Sequence, residues 1–116
     1  MASKSTKADT SFKALPSPAS CKLVDFDGCK VIKLFAHPPY VLLVWGTRHS
    51  SNVEVSLRPL IYVTKPDYWG IEVVGCQSGI GLPVEIPYVE VMMLMTTIGK
   101  KGVEIIGANQ KVKIPI

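Results

Sequence analysis

Hydrophobic and polar positions alternate with a period near two over short runs from Cys21 onward, and turn residues separate the runs. Residues 21–26 (CKLVDF) and 29–35 (CKVIKLF) flank Asp27-Gly28, which predicts a hairpin on a type I′ turn. That register sets Phe26 opposite Cys29 and Cys21 opposite Leu34. His37-Pro38-Pro39 then turns a corner, and 40–45 (YVLLVW) reads as a strand buried on both faces. Residues 46–52 (GTRHSSN) form a polar loop. In 53–58 (VEVSLR), Val53, Val55 and Leu57 face inward. Pro59 predicts a bend before a further short run, 60–63 (LIYV).

The second half repeats this grammar. Lys65-Pro66-Asp67 is a turn signature that leads through Tyr68 and Trp69 to a strand at 71–76. A loop over 77–83 holds Gly79 and Gly81. Residues 84–97 contain two runs split by Pro87. The run from Tyr88 to Thr97 has helical length, but Val89, Val91, Thr96 and Thr97 favour a strand and no N-cap precedes it. GKKG at 99–102 is a turn, and 103–106 pairs with 111–116 as a second hairpin. The expectation is one all-β domain over 21–116, a small antiparallel sandwich or barrel of about eight short strands.

Composition supports that class. After residue 20 the only alanines are Ala36 and Ala108, whereas Val and Ile abound and nine Gly and nine Pro supply stops. The chain has 116 residues, 47% of them hydrophobic and 19% charged, so burial can offset the entropy of ordering it. No 18-residue stretch is free of charges and breakers, so no spanning helix and no membrane partner are expected. Residues 1–20 differ: they hold three Lys and one Asp, Pro16 and Pro18, and few large apolar groups. They read as a flexible basic tail without the apolar region of a signal peptide.

The formal charge is +4 and suggests a polyanion partner. After residue 20, however, ten basic residues face eight acids, a net of +2, with no Arg-rich or aromatic-basic motif. A single-stranded nucleic-acid-binding β-barrel therefore stands only as an alternative, and nucleic acid is disfavoured as partner. Cys21, Cys29 and Cys76 are an odd set without a disulfide framework. Buried free thiols are the favoured reading, one disulfide plus a free thiol the runner-up, and unpaired thiols lean towards a reducing cytoplasm.

Candidate chemistry is sparse. Cys76 ends a strand, and His37 or His49 is available as its base, which makes a small Cys-dependent enzyme the catalytic alternative. Gly79-Ile80-Gly81 lacks the third glycine and the helix of a dinucleotide fingerprint, and Pro83 blocks that helix. His37 and His49 do not have metal-ligand spacing, so neither metal nor cofactor is expected. The five glutamates each fit an outward strand position.

Tyr68 and Trp69 beside Lys65 and Asp67, and Arg48 and His49 in their own loop, make a mixed aromatic-polar surface if both loops share one end of the scaffold. The reading is a non-catalytic binding or interaction module. Its ligand-binding residues are Arg48, His49, Tyr68, Trp69, Gln77 and Ser78, and its ligand is a protein, peptide or glycan. The run from Tyr88 to Thr97 carries one charge, Glu90, so it should be central or covered, and a homodimer over it is a further expectation.

Overall fold

The computed structural model describes residues 20–35 and 40–116; residues 1–19 of the expected tail and His37 lie outside them. Eight strands follow in order: β1 (Ser20–Leu23), β2 (Gly28–Lys33), β3 (Tyr40–Ser50), β4 (Val53–Pro59), β5 (Tyr68–Gln77), β6 (Pro83–Leu94), β7 (Gly102–Ile106) and β8 (Lys111–Pro115). No helix occurs among the described residues, and the class is all-β.

The strands form two sheets. One has the order β2-β3-β6, antiparallel throughout. The other is built on β5: β4 runs along one side, β1 and β7 share the other side end to end, and β8 lies beyond β7. The β5–β7 pair is parallel, so this second sheet is mixed. Its inner face presents Ile71, Val73, Val103 and Ile105; the three-stranded sheet contributes Leu42, Val44, Tyr88 and Leu94. These side chains and Phe26 make one core.

Where the chain folds as its local pattern dictates, both signals agree. The β7–β8 hairpin closes at 107–110, with the Gly107 N–H donating to the Gln110 carbonyl. β4 keeps the predicted alternation, and 88–94 is strand, not helix. Pro87 does not split β6, because β6 is an edge strand and an edge tolerates a missing donor. Of the two alternatives for the apolar run, central or covered, the same fact removes the first: it lies at the edge of its sheet.

Other differences have tertiary causes. The Asp27-Gly28 hairpin does not form. β1 pairs with β5 and β2 with β3, and residues 24–27 carry the chain from one sheet to the other. Phe26 lies on that crossing, fully buried between the sheets, and its burial overrides the turn signal. The expected loop 46–52 is mostly strand: β3 continues to Ser50 against β6, with a register shift between Arg48 and Ser50. Residues 60–63 are not a strand; Tyr62 folds back to meet Trp69 edge-on at 5.0 Å. Tyr68 and Trp69 belong to β5 itself.

The crossing is clamped from the β7–β8 turn. The Asn109 side chain accepts from the Phe26 N–H (3.2 Å) and donates to the Phe26 carbonyl (3.0 Å), to which Gln110 also donates (2.8 Å). The Ala108 N–H donates to the Val24 carbonyl. Asn109→Ala removes two of these bonds and should cost about 1–2 kcal/mol. The readout is a lower urea midpoint at unchanged slope; an unchanged midpoint would show that the clamp contributes nothing.

Candidate functional site

Strand alternation sorts the candidate residues before any ligand is considered. Along β3, Leu42, Val44, Gly46 and Arg48 share the inward phase, and Trp45, Thr47 and His49 the outward one. Gly46 is required where it stands, because a Cβ there would meet the Tyr88 ring at 2.7–2.9 Å. The buried Tyr88 ring crosses this gap and its hydroxyl donates to the Asp25 carbonyl at 2.7 Å. Past Tyr88 the core ends and the sheets enclose a cleft of about 460 Å³.

The cleft floor is apolar: Leu23, Val24, Val53 and Val55 line it. Lys22, Asp25, Arg48, His49, Ser50 and Gln77 supply its polar groups. A second hollow of about 360 Å³ adjoins it, sharing Arg48, Val55 and Tyr88 and adding Glu54 and Glu90. Arg48 is half-buried, and its Nη1 donates to the Val53 carbonyl at 2.7 Å. A guanidinium carries five N–H donors, so that bond fixes the group without exhausting it. His49 stands at the rim, its Nδ1 4.0 Å from the exposed Glu85 carboxylate.

Asn52 ties the rim together. It accepts from Ser50 Oγ (2.6 Å) and Gln77 Nε2 (3.1 Å) and donates to the Ser78 carbonyl (2.6 Å). Backbone and side chain of Ser51 bond Leu82 in turn. The β3–β4 turn and the β5–β6 loop thus form one stapled unit, and Gly79 takes a positive φ of 67°.

The structure therefore brings Arg48, His49, Gln77 and Ser78 to one end. It does not bring Tyr68 and Trp69 there. They begin β5, whereas Gln77 ends it, and ten extended residues span about 30 Å. Trp69 is committed to structure: its indole N–H donates to the Leu60 carbonyl at 2.9 Å and its ring packs on Tyr62 and the core. The Tyr68 ring is covered by the Lys113 ammonium, 5.2 Å from its centroid. Sequence spacing did not single out Lys22, Asp25, Asn52 or Tyr88, because their roles depend on which strands become neighbours.

The cysteines correct a further expectation. Cys21 and Cys76 are directly opposite in the β1–β5 ladder and form a disulfide, leaving Cys29 as the free thiol. The favoured reading of three free thiols fails because the predicted hairpin, which faced Cys21 with Leu34, does not form. The inference of a reducing compartment falls with it. Bonded Cys76 has no thiol to attack with, so pairing with His49 gives no nucleophile in this form; His37 lies outside the described residues. Burial pushes the Cys29 thiol pKa up, which makes it less reactive. Among the described residues no group of three or more His, Cys, Asp or Glu is placed to hold a metal ion, and no helix is long and apolar enough to cross a membrane.

Comparison with family models, curated proteins and solved structures finds no match to this chain.

Two outcomes follow from this geometry. Thiol titration in denaturant should find one thiol per chain without reductant and three with it; three in both would remove the disulfide. The double variant Cys21→Ser/Cys76→Ser should lose about 2–4 kcal/mol of stability, since the bond closes a long loop. The second outcome concerns Tyr88, whose pKa is pushed up to about 12 by burial first and then by the Asp27, Asp25 and Glu90 carboxylates. The unfolded phenol loses its proton near pH 10, about two units earlier. Between those values the folded state holds more protons, so stability falls as pH rises from about 10 to 12. Tyr88→Phe should flatten that decline in pH-dependent urea melts.

Proposed function

We propose that this chain is a non-catalytic binding module whose ligand, a protein, peptide or glycan, enters the cleft where β3, β4 and β5 meet. The observation that carries the reading is the convergence of Arg48, His49 and Gln77 on one cleft of about 460 Å³ with an apolar floor. Apolar walls with a few fixed polar groups are the usual make-up of a ligand site. Arg48 and Gln77 are mounted on strands, and a staple of hydrogen bonds holds the rim, so little ordering is left to offset on binding. A half-buried guanidinium beside apolar walls favours an acidic side chain or chain terminus flanked by hydrophobic groups, which points to peptide over glycan.

Against a nucleic-acid role stands the surface charge. The outward row of the mixed sheet interleaves Glu54, Glu72 and Glu104 with Arg58, Lys111 and Lys113, which offers no continuous basic track. Self-association over 88–97 is a separate reading and involves the other face of the molecule; the apolar residues exposed along β6 favour it.

Selection from a random heptapeptide phage library, with a glycan array in parallel, tests the cleft reading. Peptides carrying a carboxylate next to apolar residues should be enriched. Arg48→Ala should weaken them by about tenfold or more, the loss of one charged hydrogen bond, while circular dichroism stays native. Selected ligands that bind Arg48→Ala as well as the parent would sink this reading.

A further inference from the structure

The two sheets treat solvent differently. An antiparallel sheet with one wet face alternates apolar-in and polar-out. The mixed sheet obeys this: outward positions on β4, β5, β7 and β8 include Glu54, Ser56, Arg58, Glu72, Glu104 and Lys113. The three-stranded sheet does not. Its inward row on β6 (Tyr88, Met92, Leu94) is already core, yet its outward row is Val89, Val91 and Met93, with Met95 just beyond the strand. These four are 63%, 58%, 53% and 70% exposed. Glu90, the one charge in the run, takes the inward phase and lines the hollow beside Arg48, so it does not break the row.

The row continues sideways. Register sets Val89 beside Trp45, Val91 beside Leu43 and Met93 beside Val41 on β3, and Val41 beside Ile32 on β2. Trp45, 39% exposed, lies across Gly28, where a Cβ would meet its ring at 2.5 Å, so the indole is laid along the sheet as part of a flat face. Lys30 stands on the far strand, and His49 and Glu85 at one end. Together the exposed apolar groups present on the order of 600 Å², the upper limit of the largest patch on an ordinary monomer. Stable interfaces take about 600–1,000 Å² from each partner, and this face reaches the low end of that range.

We infer that a second copy of this chain covers the outer face of the β2-β3-β6 sheet, packed face to face about a two-fold axis. Area is the first argument, because the patch is large enough for one side of a small dimer interface. Charge is the second: the centre offers nothing by which a differently charged partner would be chosen, and homodimer interfaces are the more apolar and charge-depleted class. A two-fold pairing sets the row of Val and Met side chains against itself and buries the indole of each copy. It also leaves Arg48 and Tyr88 uncovered, since they have the opposite strand phase from Trp45 and Val89, while His49 stands where the face and the cleft rim meet. The inference rests on the self-association reading and names its face.

Sedimentation velocity of the full chain from low to high micromolar concentration tests it. The parent should shift from one to two times 12.6 kDa. Val91→Lys, and independently Met93→Lys, should raise the dissociation constant by about tenfold or more while thermal melting stays cooperative. Two outward positions guard against one variant failing to fold. A parent that stays monomeric throughout overturns self-association itself. A dimer that survives both lysines overturns this face, and edge-to-edge pairing through β6 would give that result, because outward side chains stay in water there.

Discussion

The structure depends on how the chain crosses from one sheet to the other at Val24–Asp27. Phe26 fills the space between the sheets with no exposed surface, which is worth about 1.5–3 kcal/mol of burial. A side chain placed so deep brings its own backbone N–H and carbonyl out of reach of regular ladder partners, and leaving them unpaired would cost as much again. The Asn109 amide meets both, donor to acceptor and acceptor to donor, in the place of a neighbouring strand. Segments 83 residues apart are thereby joined, and the first strands are committed to different sheets.

Everything at the candidate site follows from that commitment. Because β1 joins β5 and not β2, Lys22, Leu23 and Val24 wall the cleft, and Cys21 meets Cys76. Because the segment after β1 passes over β6, the Asp25 carbonyl is available to Tyr88. Tyr88 then marks the boundary between packed core and open cleft, its ring accommodated by the missing side chain of Gly46. Its raised pKa has the same origin, since an aromatic ring held in the core beside three carboxylates is a poor place for a phenolate.

The molecule also divides its surface by sheet. One outer face carries charges on each of β4, β5, β7 and β8 and needs no cover; the other is apolar along β3 and β6 and ends in an edge strand with Pro83 and Pro87 only in its first half. Prolines and charges are the usual means of blunting an edge. Here the prolines stop before Val89, where the exposed valines and methionines begin, and Glu90 is the one charge beyond them, so the less protected half of the edge and the apolar face coincide.

Period-two patterning, scarce alanine and frequent turn residues determined the all-β class, most of the strands and the β7–β8 hairpin, because backbone conformation responds to neighbours a few residues away. The same local rules set Arg48, His49, Gln77 and Ser78 in loops; the first three are strand residues, and all four lie at one end of the fold. What they could not specify is which strands become partners. Asp27-Gly28 looks like a hairpin from any short window, and only the gain from burying Phe26 against strands far along the chain prevents it. The disulfide, the separation of Tyr68 and Trp69 from Arg48, and the exposure of the β6 run all follow from that choice of partners, which the energy of the whole core decides.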